Sequence, residues 1–187
     1  MKPGEATLLD KTAAKPFVWI SASAFFLFCN LGSGGLAAAN EHQLSADTRS
    51  EIAQVRRATA RYHNISNAYA DGYTEVDPPF VLAGVGCHLW DLAALFGDSG
   101  EIDLNHPELL IYSDCSQSAG GQAELRAVEY ARPCDGLCDE SNLPEGFSGD
   151  EDAWEVFGGN VLWTLHVWIW RHNPAGIFVK VNPDIED

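Results

Sequence analysis

Residues 161–181 read VLWTLHVWIWRHNPAGIFVKV, a run dense in apolar, β-branched and aromatic side chains. Such composition favours a pleated, half-buried surface. The Asn173-Pro174-Ala175-Gly176 quartet reads as a turn, so an antiparallel hairpin at the centre of a sheet is expected. Strand residues alternate faces: His166, Trp168, Trp170 and His172 fall on one side, Leu165, Val167, Ile169 and Arg171 on the other.

Upstream, residues 108–113 (ELLIYS) and 124–131 (ELRAVEYA) read as two more strands, paired as a hairpin across a loop rich in Ser and Gly. Residues 73–76 are extended, Asp77-Pro78-Pro79 turns the chain, residues 80–85 form a strand, and residues 89–96 form a short helical turn. Between Ser45 and Ala70 the residues Ile52, Val55, Thr59, Tyr62, Ser66 and Tyr69 recur at helical steps on one face. Ser45 or Asp47 caps this helix and Asp71-Gly72 ends it. Residues 135–152 form an acidic, irregular insertion too polar to contribute much core. The expected fold is α+β: an antiparallel sheet of four to five strands with a long N-terminal helix packed on one face.

The 187-residue chain begins with Lys2, Lys11 and Lys15, then an apolar core over residues 17–31, then Ala37 and Ala39 at small-x-small spacing. This is the grammar of a cleaved export signal, with the cut after Ala39. The core is shorter than the roughly twenty residues a membrane span needs. The competing reading is an uncleaved anchor over residues 17–39. Lipidation at Cys29 is disfavoured by the bulky Phe28 before it. Cleavage leaves residues 40–187 as a single domain, secreted or periplasmic, with no stable membrane insertion.

Acidic residues outnumber basic ones 27 to 11, a formal net charge of −16. Such a surface repels phosphate backbones and anionic lipid heads, so nucleic acid is not an expected partner. Beyond the leader stand Cys87, Cys115, Cys134 and Cys138. An even number in an exported chain reads as two disulfides. Three pairings are open; Cys134 and Cys138 in PCDGLC can close on themselves, and Cys87 and Cys115 can tie two elements. A thiolate metal site is the weaker rival, because C-x3-C has no partner pair.

Three residues from separate elements carry the chemistry. Glu129 shares a strand face with Leu125, Ala127 and Ala131, and a carboxylate there, if buried, requires a cation, a metal or a donor to offset desolvation. His88, beyond Gly84-Val85-Gly86, is one partner and His166 another. Two imidazoles and a carboxylate suit a divalent ion such as Zn, Fe, Mn or Cu, with open positions for water or substrate. His172 cannot join His166 on one ion, being six strand residues or about 20 Å away. Trp168 and Trp170 are expected as pocket walls with His172 and His63 nearby, or alternatively as packing beneath the helix. His63 itself reads as half-buried. Glu129 is the candidate base or ligand, and a metal-free acid and base pair is a further option. No G-x-S-x-G elbow or H-E-x-x-H motif occurs.

The blocks ATARYHNISNAYADGY, GVGCH, AVEYA and LHVWIWRHNPAGIF resemble the recurring segments of a family of small exported bacterial proteins. They cover most of residues 58–181 in order. The resemblance implies export and one domain and brings no activity. An aromatic residue tends to precede the histidine where Cys87 stands here. The expected function is binding of a divalent metal or small molecule in a His/Glu/Trp pocket, with metal-dependent catalysis as an extension. The rival is a non-catalytic exported interaction module.

Overall fold

The computed structural model describes residues 44–97, 101–116 and 122–186; the leader expected over residues 1–39 lies outside them. Ser45 caps α1 (Ala46–Thr59), its hydroxyl accepting from the Thr48 N–H at 3.0 Å. A single 3-10 turn, Ala60–His63, follows, and then Asn64 starts α2 (Ile65–Ala70) by accepting from the Ser66 N–H. The expected helix over 45–70 is therefore broken at Asn64, whose side chain competes for the backbone. That break shifts the phase of the buried face. Ile65 and Ala68 face the core, while Ser66 is exposed and Tyr69 half-buried.

Among the described residues six strands form one antiparallel sheet: β1 (Val81–Leu82), β2 (Gly86–Trp90), β3 (Leu109–Tyr112), β4 (Leu125–Pro133), β5 (Glu155–Phe157) and β6 (Leu162–Val167), in the spatial order β1-β2-β3-β4-β6-β5. The α+β class and the pairing of β3 with β4 match expectation; the count of four to five does not. Residues 80–85 split because the chain reverses at once into β2. Gly86 has φ +130° and its missing Cβ would lie 2.4 Å from the Tyr112 carbonyl oxygen, so only glycine fits. Leu89 and Trp90 belong to β2, and the short helix α3 (Leu92–Gly97) starts only after Asp91, whose carboxylate accepts from the Ala94 N–H.

The hairpin expected over 161–181 does not form. β6 ends at Val167 and pairs with β4 on one side and the short β5 on the other. Past Asn173 the chain lies as an irregular tail held by scattered backbone bonds, such as Trp168 N–H to the Ile177 carbonyl and Asn182 N–H to the Gly84 carbonyl, and by side chains. The Asn173 amide donates to the carbonyls of Val179 and Val181, and the Trp168 indole donates to Val179 at 2.7 Å. Side chains thus satisfy carbonyls that a ladder partner would have taken.

Alternation along the strands gives the sheet two different faces. Cys87, Leu89, Leu110, Tyr112, Val128, Tyr130, Leu165 and Val167 pack against Ile52, Val55, Tyr62, Ile65 and Ala68 of the helical layer. Phe147 of the acidic insertion joins this core, meeting Tyr130 and Phe178, so the insertion contributes more than its polarity suggested. The opposite face carries two smaller apolar groups, one around Ile111, Ala127 and Trp168, the other around Trp90, Leu109 and Ala131. Two disulfides complete the fold, Cys87–Cys115 and Cys134–Cys138. All four cysteines of the expected set are consumed, which removes a thiolate metal site. Among the described residues no helix is long and apolar enough to cross a membrane.

Candidate metal centre

On the face away from the helices, between the two smaller apolar groups, stand His88, Glu129 and His166. Register explains the convergence. Glu129 of β4 is directly opposite His166 of β6, and it also pairs with Leu109 of β3. His88 of β2 pairs with Ile111, two strands from β4 and about 10 Å away at the ladder spacing. The Glu129 side chain closes that gap over β3, and its strand neighbours on the same face, Ala127 and Ala131, are small enough to leave room.

All three residues are buried, at 1%, 4% and 3% exposure for His88, Glu129 and His166. The His88 Nε2 lies 3.4 Å from one oxygen of Glu129 and the His166 Nε2 lies 3.6 Å from the other. One ligand atom from each residue falls within 4.8 Å of the rest. Both Nε2 atoms lack a hydrogen-bond partner. The contacts to Glu129 are too long to be hydrogen bonds.

The tautomer of His88 follows from its other nitrogen. Nδ1 lies 3.2 Å from the Phe80 carbonyl oxygen, which can only accept, so Nδ1 carries the proton and Nε2 presents its lone pair to the centre. This is the outer contact that orients a metal-bound imidazole. Burial lowers His88 to about 4 and His166 to about 3, the latter also disfavoured by His88, so both rings are neutral at ordinary pH. Burial raises Glu129 to about 8 against a hydrogen bond from Thr164 that works the other way. Near neutral pH the Glu129 carboxyl therefore keeps its proton, between two neutral nitrogen bases. One proton can satisfy one nitrogen at most, whereas a divalent ion satisfies both nitrogens and the carboxylate.

Ligand bonds of about 2.0–2.2 Å in tetrahedral geometry put donor atoms roughly 3.4 Å apart, close to the two separations found. The group can hold a divalent ion. The cavity at the centre has a volume of about 40 Å³ and is walled by Phe80, Trp90, Phe157, Thr164 and Lys180.

The walls differ from those expected. Trp168 is buried beside Ile111 and Ala127 and donates its indole N–H to the tail, and Trp170 lies on the helical side, donating to Thr59 and meeting the His63 ring at 4.3 Å. Neither lines the cavity. His63 and His172 are both exposed and stand apart from the centre. Trp168 keeps the face of His166 but covers Ile111 and Ala127 instead of Glu129, whereas Trp170, beyond the end of β6 at Val167, has left that face for the helical side. Trp90 was legible, since it lies two residues from His88 on the same strand face; placing residues 89–96 in a helix hid it. Lys180 reaches the cavity only through the folding of the tail.

Compared with models of known families, with characterised proteins and with solved structures, the chain matches none.

Proposed function

We propose that this chain is an exported divalent-metal-binding domain in which His88, Glu129 and His166 hold the ion. The observation that carries the reading is the pair of buried, unpartnered imidazole nitrogens facing the two oxygens of one buried carboxylate. Three protein ligands leave at least one coordination position for water or a small ligand, which is the open arrangement of catalytic rather than structural sites. When bound, the ion would polarise a ligand or lower the pKa of a bound water. His88, oriented by Phe80, and Glu129, held by Thr164, supply the preorganised ligand set. The export signal grammar and the two disulfides support a secreted or periplasmic location, where exposed thiols would oxidise. The similarity of its sequence blocks to small exported bacterial proteins supports the same location.

A second reading, a non-catalytic interaction module, draws support from Trp168 and Trp170, which serve packing. Metal analysis separates the two. The purified protein, with residues 40–187 processed as in the cell, is expected to bind one equivalent of zinc, manganese, iron or copper, and His88→Ala and His166→Ala are expected to lose it. His63→Ala and His172→Ala are expected to retain it. Equal and negligible metal in all five proteins after incubation with each ion would overturn the metal reading and leave the interaction module.

A further inference from the structure

The cavity contains more polar equipment than three ligands require. Trp90 lines it, is 8% exposed, and has an indole N–H with no hydrogen-bond partner. An unpaired buried donor costs free energy, so its retention beside an open coordination position needs an acceptor to explain it. Lys180 also lines the cavity. It shares that lining with all three members of the centre. The tail that carries it is fastened by Asn173, Asn182 and Trp168, and its ammonium sits 2.9 Å from Glu155.

Charge sets the sign of the missing acceptor. A divalent ion with one carboxylate and two neutral imidazoles carries a net single positive charge, and Lys180 with Glu155 adds none. A dry site with one uncompensated positive charge favours a monoanion. Size sets its dimensions. A cavity of about 40 Å³ exceeds the ~10–15 Å³ that one water requires but holds only two or three water-sized groups. Phe80 and Phe157 close the rest with apolar surface.

We propose that the open position of this centre takes a small monoanion of two or three heavy atoms, which accepts hydrogen bonds from the Trp90 indole N–H and the Lys180 ammonium. The inference rests on the metal reading, and the test is arranged so that each can fail separately. The full mature protein is loaded with cobalt(II), whose visible absorption reports its ligands, and titrated with sodium azide. One cobalt per chain, and a saturable spectral change at one azide per cobalt, are expected. Lys180→Gln and Trp90→Phe should each weaken azide roughly tenfold or more while cobalt stoichiometry stays at one. Lys180→Met provides a second variant on the half-exposed tail in case Trp90→Phe does not fold. Bound cobalt with a spectrum indifferent to azide overturns the anion inference and leaves the metal centre. Failure to retain cobalt or any of zinc, manganese, iron and copper overturns both. Azide affinity unchanged in every variant overturns the assignment of Trp90 and Lys180 as its donors.

Discussion

Glu129 and His166 are directly opposed partners in the β4–β6 ladder, and the imidazole Nε2 of one stands 3.6 Å from a carboxylate oxygen of the other. The carboxylate is held at about 8, above its ordinary 4.5, chiefly by burial. The folded metal-free protein therefore keeps a proton there that the unfolded chain loses. The contribution to stability is fully present below about pH 4.5 and declines as pH rises to about 8. Glu129→Gln removes that dependence. The metal-free variant should exceed the metal-free wild type in stability at pH 9 by on the order of 3–5 kcal/mol, as measured by urea unfolding. Its metal affinity should fall by more than the ~10–100-fold that loss of an outer-shell partner costs. A variant less stable than wild type at pH 9 would contradict the buried-carboxylate account.

Metal binding should release about one proton at pH 7. His88 and His166 are already neutral there, at about 4 and about 3, and Glu129 is the group that must ionise. Zinc affinity is then expected to rise roughly tenfold per pH unit from pH 6 towards 8 and to level off above. Calorimetry in buffers of different ionisation heat counts the proton. Release of none at pH 7 would place the Glu129 ionisation elsewhere.

The Cys87–Cys115 bridge spans 28 residues of sequence and ties β2 to the segment after β3, immediately beside His88 but on the helical face. Closing a loop of that length stabilises a fold by about 3.5 kcal/mol in the chain-entropy account. The double variant Cys87→Ser, Cys115→Ser should lose stability of that order in denaturant titration. Because the bridge points away from the centre, metal stoichiometry of the folded variant should be unchanged. The Cys134–Cys138 bridge closes a far shorter loop and its removal should cost less.

Asp152 accepts from the Phe147 N–H at 2.7 Å and is raised to about 6 by burial and by the nearby Glu51 and Glu151. Its contribution is present below about pH 3.8 and is lost as pH rises through 6. Asp152→Asn keeps the acceptor and removes the charge. A gain on the order of 1 kcal/mol at pH 7.5, discounted for partial solvent screening, and little change at pH 4, are expected from thermal unfolding. Equal effects at both pH values would show that charge is not the cause.

Much of this architecture was legible from pattern. The Ser45 cap, the helical face through Ile52 and Val55, the β3–β4 pair and the candidate trio were each readable from residue type, period and chemical need. Failures cluster where a side chain overrules a pattern. Asn64 restarts a helix that periodicity carried through, the turn at residues 83–85 with Gly84 at φ +69° makes a hairpin of an apparent single strand, and Asn173 with Trp168 holds a tail that composition alone presents as a strand.

Residue order alone determined which side chains carry charge, which can ligate and which face of a regular element each occupies, because those properties are local. Which three elements meet was decided by the tertiary structure. Bringing His88 to Glu129 depends on β3 lying between them, and bringing Lys180 over the cavity depends on an irregular tail held by two asparagines and an indole. Both are contacts between residues far apart in sequence, whose energies come from burial and hydrogen bonding that exist only once the sheet has formed.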